Sequence, residues 1–137
     1  MTQTVPGAWV TQPDAYRRQM EEKLGGRAPL EVLGKTADAL EAIVARHSAA
    51  TLRTRPFPGK WTQNEIIGHL SDSEWVYGYR LRLILCETEP TILGMDQDLW
   101  VSGQRHNERE PKELVTMFRQ LRVHNLAIWR QTSEADL

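Results

Sequence analysis

Cysteine is nearly absent from this sequence, and so are the long apolar runs of membrane proteins. The single cysteine, Cys86, excludes an internal disulfide and suits a reducing cytoplasm. Its position late in a predicted helix indicates a small core or boundary residue rather than a nucleophile. No apolar run approaches the ~18 residues of a membrane span, and residues 1–10 lack the basic-then-apolar pattern of a signal peptide. We therefore expect a cytoplasmic protein with no membrane partner.

A block of basic residues is also lacking. The 17 lysines and arginines nearly balance 18 acidic residues, which leaves a net charge of −1, and the cations are scattered. Nothing in this balance favours nucleic acid as a partner. The 137 residues, 40% hydrophobic and 26% charged, have the size and composition of one ordinary globular domain. We divide them into an N-terminal arm with a short helix, 1–27, and a bundle domain, 28–137.

Apolar residues recur every three or four positions in three long stretches, which predicts three amphipathic helices. The expected helices begin near Pro29, run from Gln63 to Glu87 and begin near Pro111, with shorter ones at 14–23 and 97–102 that Asp14 and Asp96 would cap. The connection 88–110 is too long for a tight turn. A crossover there would leave the second and third long helices parallel. The sequence therefore predicts an all-α bundle.

The most informative stretch, 58–74, opens the second long helix. Thr62 followed three residues later by Glu65 has the spacing of a capping box, which fixes where the helix begins. The predicted apolar arc of this helix consists of Ile66, Ile67, Leu70, Tyr77, Leu81, Ile84 and Leu85. His69 lies at the edge of this arc, and Glu74 lies inside it, where a carboxylate is unexpected.

Four features of the sequence occur together at the spacing of one known family. They are PGKWT at 58–62, GHLSDSE at 68–74, Arg80, and DQDLW at 96–100. On these residues the chain resembles the DinB/YfiT-like superfamily of small bacterial helical bundles, from about residue 29 to about residue 129. The resemblance implies a bundle of four helices in up-down-down-up order.

The resemblance also implies a metal ligand. In the family, the histidine that corresponds to His69 is one of three ligands, and the other two form a His-x-x-x-His pair on the fourth helix. His69 is thus expected to bind a divalent ion, nickel, zinc or iron. This sequence contains no His-x-x-x-His and ends after its third long helix. We expect the fourth helix to be missing, through truncation, or to be supplied by a partner.

Other polar residues are candidates for supporting positions around such an ion. Asp72, three residues after His69, could orient the free ring nitrogen of that histidine or could face solvent. Glu74 could act as a base behind the ion, or could pair with an arginine such as Arg80.

The sequence contains three further histidines. His47 and His124 continue the apolar stripes of the first and third long helices. The simpler interpretation of each is a core histidine, and each is also a weak alternative ligand. His106 lies in the long connection, where we expect it to be exposed.

Two hypotheses from different classes follow. The first is a metal-dependent enzyme with an incomplete ligand set. The family suggests a thiol-dependent S-transferase, in which a low-molecular-weight thiol bound to the metal attacks a small-molecule electrophile. It also suggests a hydrolase in which the metal lowers the pKa of bound water. The second is a non-catalytic bundle used for binding or dimerisation. In either case a homodimer would complete the core, because each stripe is wide enough to need a fourth neighbour.

Overall fold

Proline opens the first long helix, as the sequence predicts, but the helix ends at Arg46, before the proline-containing segment 53–58 that was expected to end it. The computed structural model describes residues 11–136, and within them the regular structure is helical throughout. The helices are α1 Pro13–Leu24, α2 Pro29–Arg46, α3 Ala49–Leu52, α4 Gln63–Cys86, α5 Gln97–Gly103 and α6 Pro111–Trp129, with single 3-10 turns at His106–Glu108 and Glu134–Asp136. Proline opens α1, α2 and α6, where its missing N–H has no helical partner to lose.

The short predicted helices are both present. Asp96 caps α5, since its Oδ1 accepts a hydrogen bond from Leu99 N at 3.0 Å. Asp14 was expected to cap α1 and does not. The cap position is Gln12, whose side chain makes no capping hydrogen bond. Asp14 lies in the first turn, where a carboxylate interacts favourably with the positive end of the helix dipole.

Helix α6 is the centre of the bundle, because α2 and α4 each pack most extensively against it. Along α4 and α6 the paired residues rise together: Ser71 with Leu114, Glu74 with Arg122, and Gly78 with Asn125. These helices therefore run parallel, as the long crossover predicts. Against α2 the order reverses, since Arg119 pairs with Asp38 and Arg122 with Leu33. The three long helices are thus up, down and down.

The core lies where these three helices meet. It is built from Ala37, Leu40, Val44, Leu52, Ile67, Leu114, Val115 and Phe118. Phe118, Leu114 and Leu52 are completely buried, and each contributes roughly 1.5–3 kcal/mol through removal from water. None of the helices in residues 11–136 is long and apolar enough to cross a membrane.

The orientation of α4 about its own axis differs from the predicted apolar arc. Ile66, Tyr77 and Ile84 were placed in the buried arc, but they are 45%, 57% and 40% exposed. The side that packs on α6 carries Ser71, Glu74 and Gly78, here called the inner face. The small size of Gly78 lets α4 and α6 come close enough for polar side chains to bond between them. The spacing of the large apolar residues gives no sign of this close contact.

Cys86 was expected in the core or at its boundary, and this was wrong. It is exposed at the last position of α4. Leu83, three residues earlier, is buried, so Cys86 lies on the side of this last turn that faces solvent.

Candidate functional site

The start of α4 is held by the predicted capping box. Thr62 Oγ1 accepts from Glu65 N at 3.1 Å, and Glu65 Oε2 accepts from Thr62 N at 2.7 Å. Arg55 pairs with the same carboxylate at 2.8 Å. Burial raises the pKa of Glu65, but the hydrogen bonds from Arg55 and Thr62 more than offset this, so the pKa lies below its usual value. The carboxylate stays charged, and the position of His69 two turns later is fixed.

His69 lies half-buried against an aromatic ring. The rings of His69 and Trp61 are 4.9 Å apart and tilted by 55°. Trp61 is itself held by a hydrogen bond from its Nε1 to Asp98 Oδ1 at 3.0 Å. Ser73 Oγ donates to the His69 carbonyl at 3.0 Å and lies 3.5 Å from Nε2. The imidazole is therefore held between Ser73 of α4 and Trp61, and Asp98 of the crossover holds Trp61 in turn.

The other ring nitrogen of His69, Nδ1, is buried and has no hydrogen-bond partner. Burial lowers the pKa of His69, and His106 lowers it further, while the charges of Asp72 and Asp98 oppose the shift. The ring is neutral at physiological pH as a result. A neutral imidazole with a free buried nitrogen is the form that binds a metal ion or exchanges a proton.

Asp72 bonds to the crossover and not to His69. Its Oδ2 lies 2.9 Å from His106 Nε2, and its Oδ1 accepts from Gln104 Nε2 at 2.8 Å. Asp72 is 2% exposed. The sequence suggested that Asp72 either orients the His69 ring by a hydrogen bond or faces solvent. The structure shows neither arrangement. Asp72 fastens the crossover segment to α4.

His106 was expected to be exposed, and this was wrong. It is completely buried and lies over Gly68, where an added Cβ would come within 2.7 Å of the His106 Cβ and nearer still to its ring. Asn64 Nδ2 donates to the carbonyls of His106 and Arg109 at 2.8 and 2.9 Å. A glycine inside a predicted helix was the available sign of this contact, but nothing local connects it with a histidine 38 positions later.

Glu74 is buried, as its position inside the apolar arc suggested, but its partner is not Arg80. Glu74 Oε1 lies 2.7 Å from Arg122 Nη2, and Oε2 accepts from Asn125 Nδ2 at 3.0 Å. Arg122 also donates to the Leu33 carbonyl at 2.7 Å. This ion pair joins all three long helices, so its contacts are those of a structural group.

His47 and His124 are not on buried stripes. Both are exposed, because α2 ends at Arg46 and because α6 turns Arg122 and Asn125 inward instead of His124. Residues 11–136 contain no group of three or more His, Cys, Asp or Glu that could hold a metal ion. Residues 1–10 and 137 contain none of these residue types. One free imidazole is suitable as a ligand, but the described residues alone do not fit a catalytic metal centre.

Comparison with known proteins bears on this arrangement. YfiT from Bacillus subtilis is similar in structure, with a TM-score of 0.72 and 23% identity over 78% of this chain and 61% of that one. YfiT is described as "a probable metal-dependent hydrolase with an unusual four-helix bundle topology". At this identity the likeness establishes the fold, and this chain spans less than two thirds of YfiT. Among curated proteins, none is similar enough to count as a match.

The family itself is established by sequence. The pattern of the DinB superfamily matches residues 33–137, which includes most of α2, the capping box of α4, His69 and the whole of α6. The match agrees with the resemblance carried by the motifs at 58–62 and 68–74. This chain is a member of the DinB superfamily.

Proposed function

We infer that this chain is part of a metal-dependent enzyme, of the hydrolase or thiol-dependent S-transferase type, to which His69 supplies one ligand. The observation that carries this inference is the buried, unpartnered Nδ1 of a neutral His69. A buried polar nitrogen without a partner costs about 1–3 kcal/mol, and a metal ion would offset that cost. Membership of the DinB superfamily and the description of YfiT support the same class of function.

Residues 11–136 hold no ligand cluster and the other residues of 1–137 include no ligand types, so the remaining ligands come from outside a single copy of these residues. A second copy of the chain is the source we propose. His47 and His124 are exposed and therefore accessible to a partner. A homodimer would also cover Ile66, Tyr77 and Ile84, three large apolar side chains exposed along one side of α4.

Metal content tests the proposal directly. Protein purified without a metal-affinity step is dialysed against zinc, nickel or ferrous ion, and metal per chain is measured by mass spectrometry. We expect near-stoichiometric metal in the wild type, loss in His69→Ala, and a dimer by light scattering. Loss in His47→Ala or His124→Ala, with a circular dichroism spectrum like that of the wild type, would identify the ligand from the second copy.

Two results would overturn the proposal: a wild type that binds none of the three ions, and a His69→Ala variant that keeps its metal. Either would favour the second candidate, a non-catalytic module for binding or dimerisation. The absence of a three-ligand cluster within residues 11–136 is the observation on which that candidate rests.

A further inference from the structure

A cavity of about 710 Å³ lies on the side of α4 that faces the crossover. Helix α4 forms one wall, and the loop at 93–94 and helix α5 form the others. Small-molecule sites in proteins have volumes of about 300–1,000 Å³ and mostly apolar walls. The apolar residues that line this cavity are Trp75, Val76, Tyr79, Leu93, Leu99 and Trp100. His69 is not among the residues that line the cavity, so what binds in the cavity is a separate question from metal binding.

The apolar walls are unusually open to solvent. Trp75 is 61% exposed, Tyr79 58%, Leu93 70% and Leu99 68%. Single exposed apolar residues are ordinary on a protein surface, but a contiguous group around one cavity marks a binding site. Two tryptophans and a tyrosine offer flat faces, which favour an aromatic or similarly flat apolar molecule.

One cation in the cavity lacks a counter-ion. Five arginines elsewhere are paired with carboxylates: Arg53, Arg55, Arg105, Arg119 and Arg122. For Arg80, no carboxylate of residues 11–136 lies within 4.0 Å. Its Nη2 donates to the Leu93 carbonyl at 2.7 Å, and its Nε is buried without a partner. The guanidinium retains donors for an anion.

The acidic group in the cavity does not compensate this charge. Asp72 also lines the wall, but both its oxygens are taken, one by His106 and the other by Gln104. The uncompensated charge among the residues that line the cavity therefore belongs to Arg80, and it is positive. Charge complementarity selects an anionic ligand over a neutral or cationic one.

We propose that this cavity binds a small aromatic or flat apolar molecule that carries one carboxylate. The apolar part lies against Trp75 and Trp100, and the carboxylate accepts hydrogen bonds from Arg80. The binding does not depend on the proposed metal at His69, so either proposal can fail while the other stands.

A matched pair of probes tests it. Isothermal titration calorimetry with 2-naphthoate and with 2-naphthamide compares a carboxylate with a neutral group on the same ring system. We expect naphthoate to bind roughly tenfold or more tightly, which is what a hydrogen bond to a charged group contributes. Arg80→Gln should remove this preference, Arg80→Lys should keep part of it, and Trp75→Ala should weaken both probes.

Arg46→Gln is the control, because Arg46 is exposed on α2, no residue of which lines the cavity. It should leave both affinities unchanged. Equal affinity for the two probes in the wild type would overturn the proposal, as would a preference that survives in Arg80→Gln or no saturable binding of either probe. If Arg80→Gln fails to fold, the comparison of the two probes on wild type and Arg80→Lys decides.

Discussion

Two sides of α4 use polar residues in opposite ways. The inner face carries Glu74, whose oxygens bond to Arg122 and Asn125 within 3.0 Å. The side toward the crossover and solvent, here called the outer face, carries His69 and Arg80. Each of these has a buried nitrogen without a partner. A buried donor or acceptor left unpaired destabilises the folded state, so a ligand that bonded to either of these nitrogens would offset that cost.

The apolar residues are divided in the opposite sense. The inner face carries the small residues Ser71 and Gly78, although a buried face more often carries large apolar side chains. The large residues Trp75 and Tyr79 remain exposed on the outer face. Size and hydrophobicity therefore identify only part of the packed side of this helix, since Ile67 and Leu81 are buried but Ile66, Tyr77 and Ile84 are not.

The largest effect is expected from removal of the inner-face carboxylate. Glu74→Ala leaves Arg122, whose side chain is 10% exposed, without a counter-charge among the residues that surround it. Breaking a buried ion pair by removing one partner costs about 3–5 kcal/mol. Urea denaturation measures the loss in free energy of unfolding.

An exposed ion pair is the control for this experiment. Glu31 pairs with Lys35 on the surface of α2, and Glu31→Ala should cost about 0.5 kcal/mol or less. If Glu74→Ala loses no more free energy of unfolding than Glu31→Ala, the inner-face pair contributes no more to stability than an exposed pair.

A smaller effect is expected where α4 meets the crossover. Gly68→Ala places a methyl group in the space occupied by His106, and such overpacking costs typically about 1–3 kcal/mol. The matched variant is Gly34→Ala, in α2, where no atom lies within 4 Å of the new Cβ. Alanine there should stabilise the helix by about 0.5–1 kcal/mol.

The opposite signs of the two glycine variants make the test sharp, and thermal unfolding followed by circular dichroism measures both. A stabilised Gly68→Ala would show that the crossover does not pack on α4 as described.

The smallest effect concerns the outer face and depends on pH. Burial holds the pKa of His69 below the ordinary value of 6.5. As pH falls through that value, the unfolded chain binds a proton before the folded chain does. The contribution of neutral His69 to the free energy of unfolding is therefore fully present above about pH 6.5. It falls on acidification toward the lower pKa of the folded state.

His69→Gln should lose less stability than the wild type between pH 7 and pH 5, an expected window set by the ordinary histidine pKa of about 6.5. Urea titrations in the presence of EDTA, with the exposed His124→Gln as control, measure the difference. Parallel losses in wild type and His69→Gln would contradict the lowered pKa.

Helix bounds could be predicted from this sequence because their causes are local. Proline at the start of α2 and α6, and the reciprocal bonds of Thr62 and Glu65, act within one turn. The bounds found for α4, Gln63–Cys86, differ from the predicted ones by a single residue. Membership of the DinB superfamily could also be predicted, since the motifs that carry it lie in continuous stretches.

The site was less predictable because its contacts are distant in sequence. His106 reaches Asp72 across 34 positions, and Glu74 reaches Asn125 across 51. Periodicity assigned His124 to the interior because it continues an apolar stripe, and His106 was expected in solvent because it lies in a long connection. The two helical glycines at 68 and 78 were the local signs of both close contacts, but each gave no indication of which residue would occupy the space.

The central position of α6 has a consequence for how the protein is made. Arg122 joins Leu33 across 89 positions, and Arg119 joins Asp38 across 81. Contacts that close such long loops form slowly in small domains. The ribosome releases α2 and α4 before α6 exists, so these helices emerge with their apolar sides uncovered. Folding of the bundle is therefore delayed until synthesis has passed Trp129, and the apolar sides of α2 and α4 stay uncovered until then.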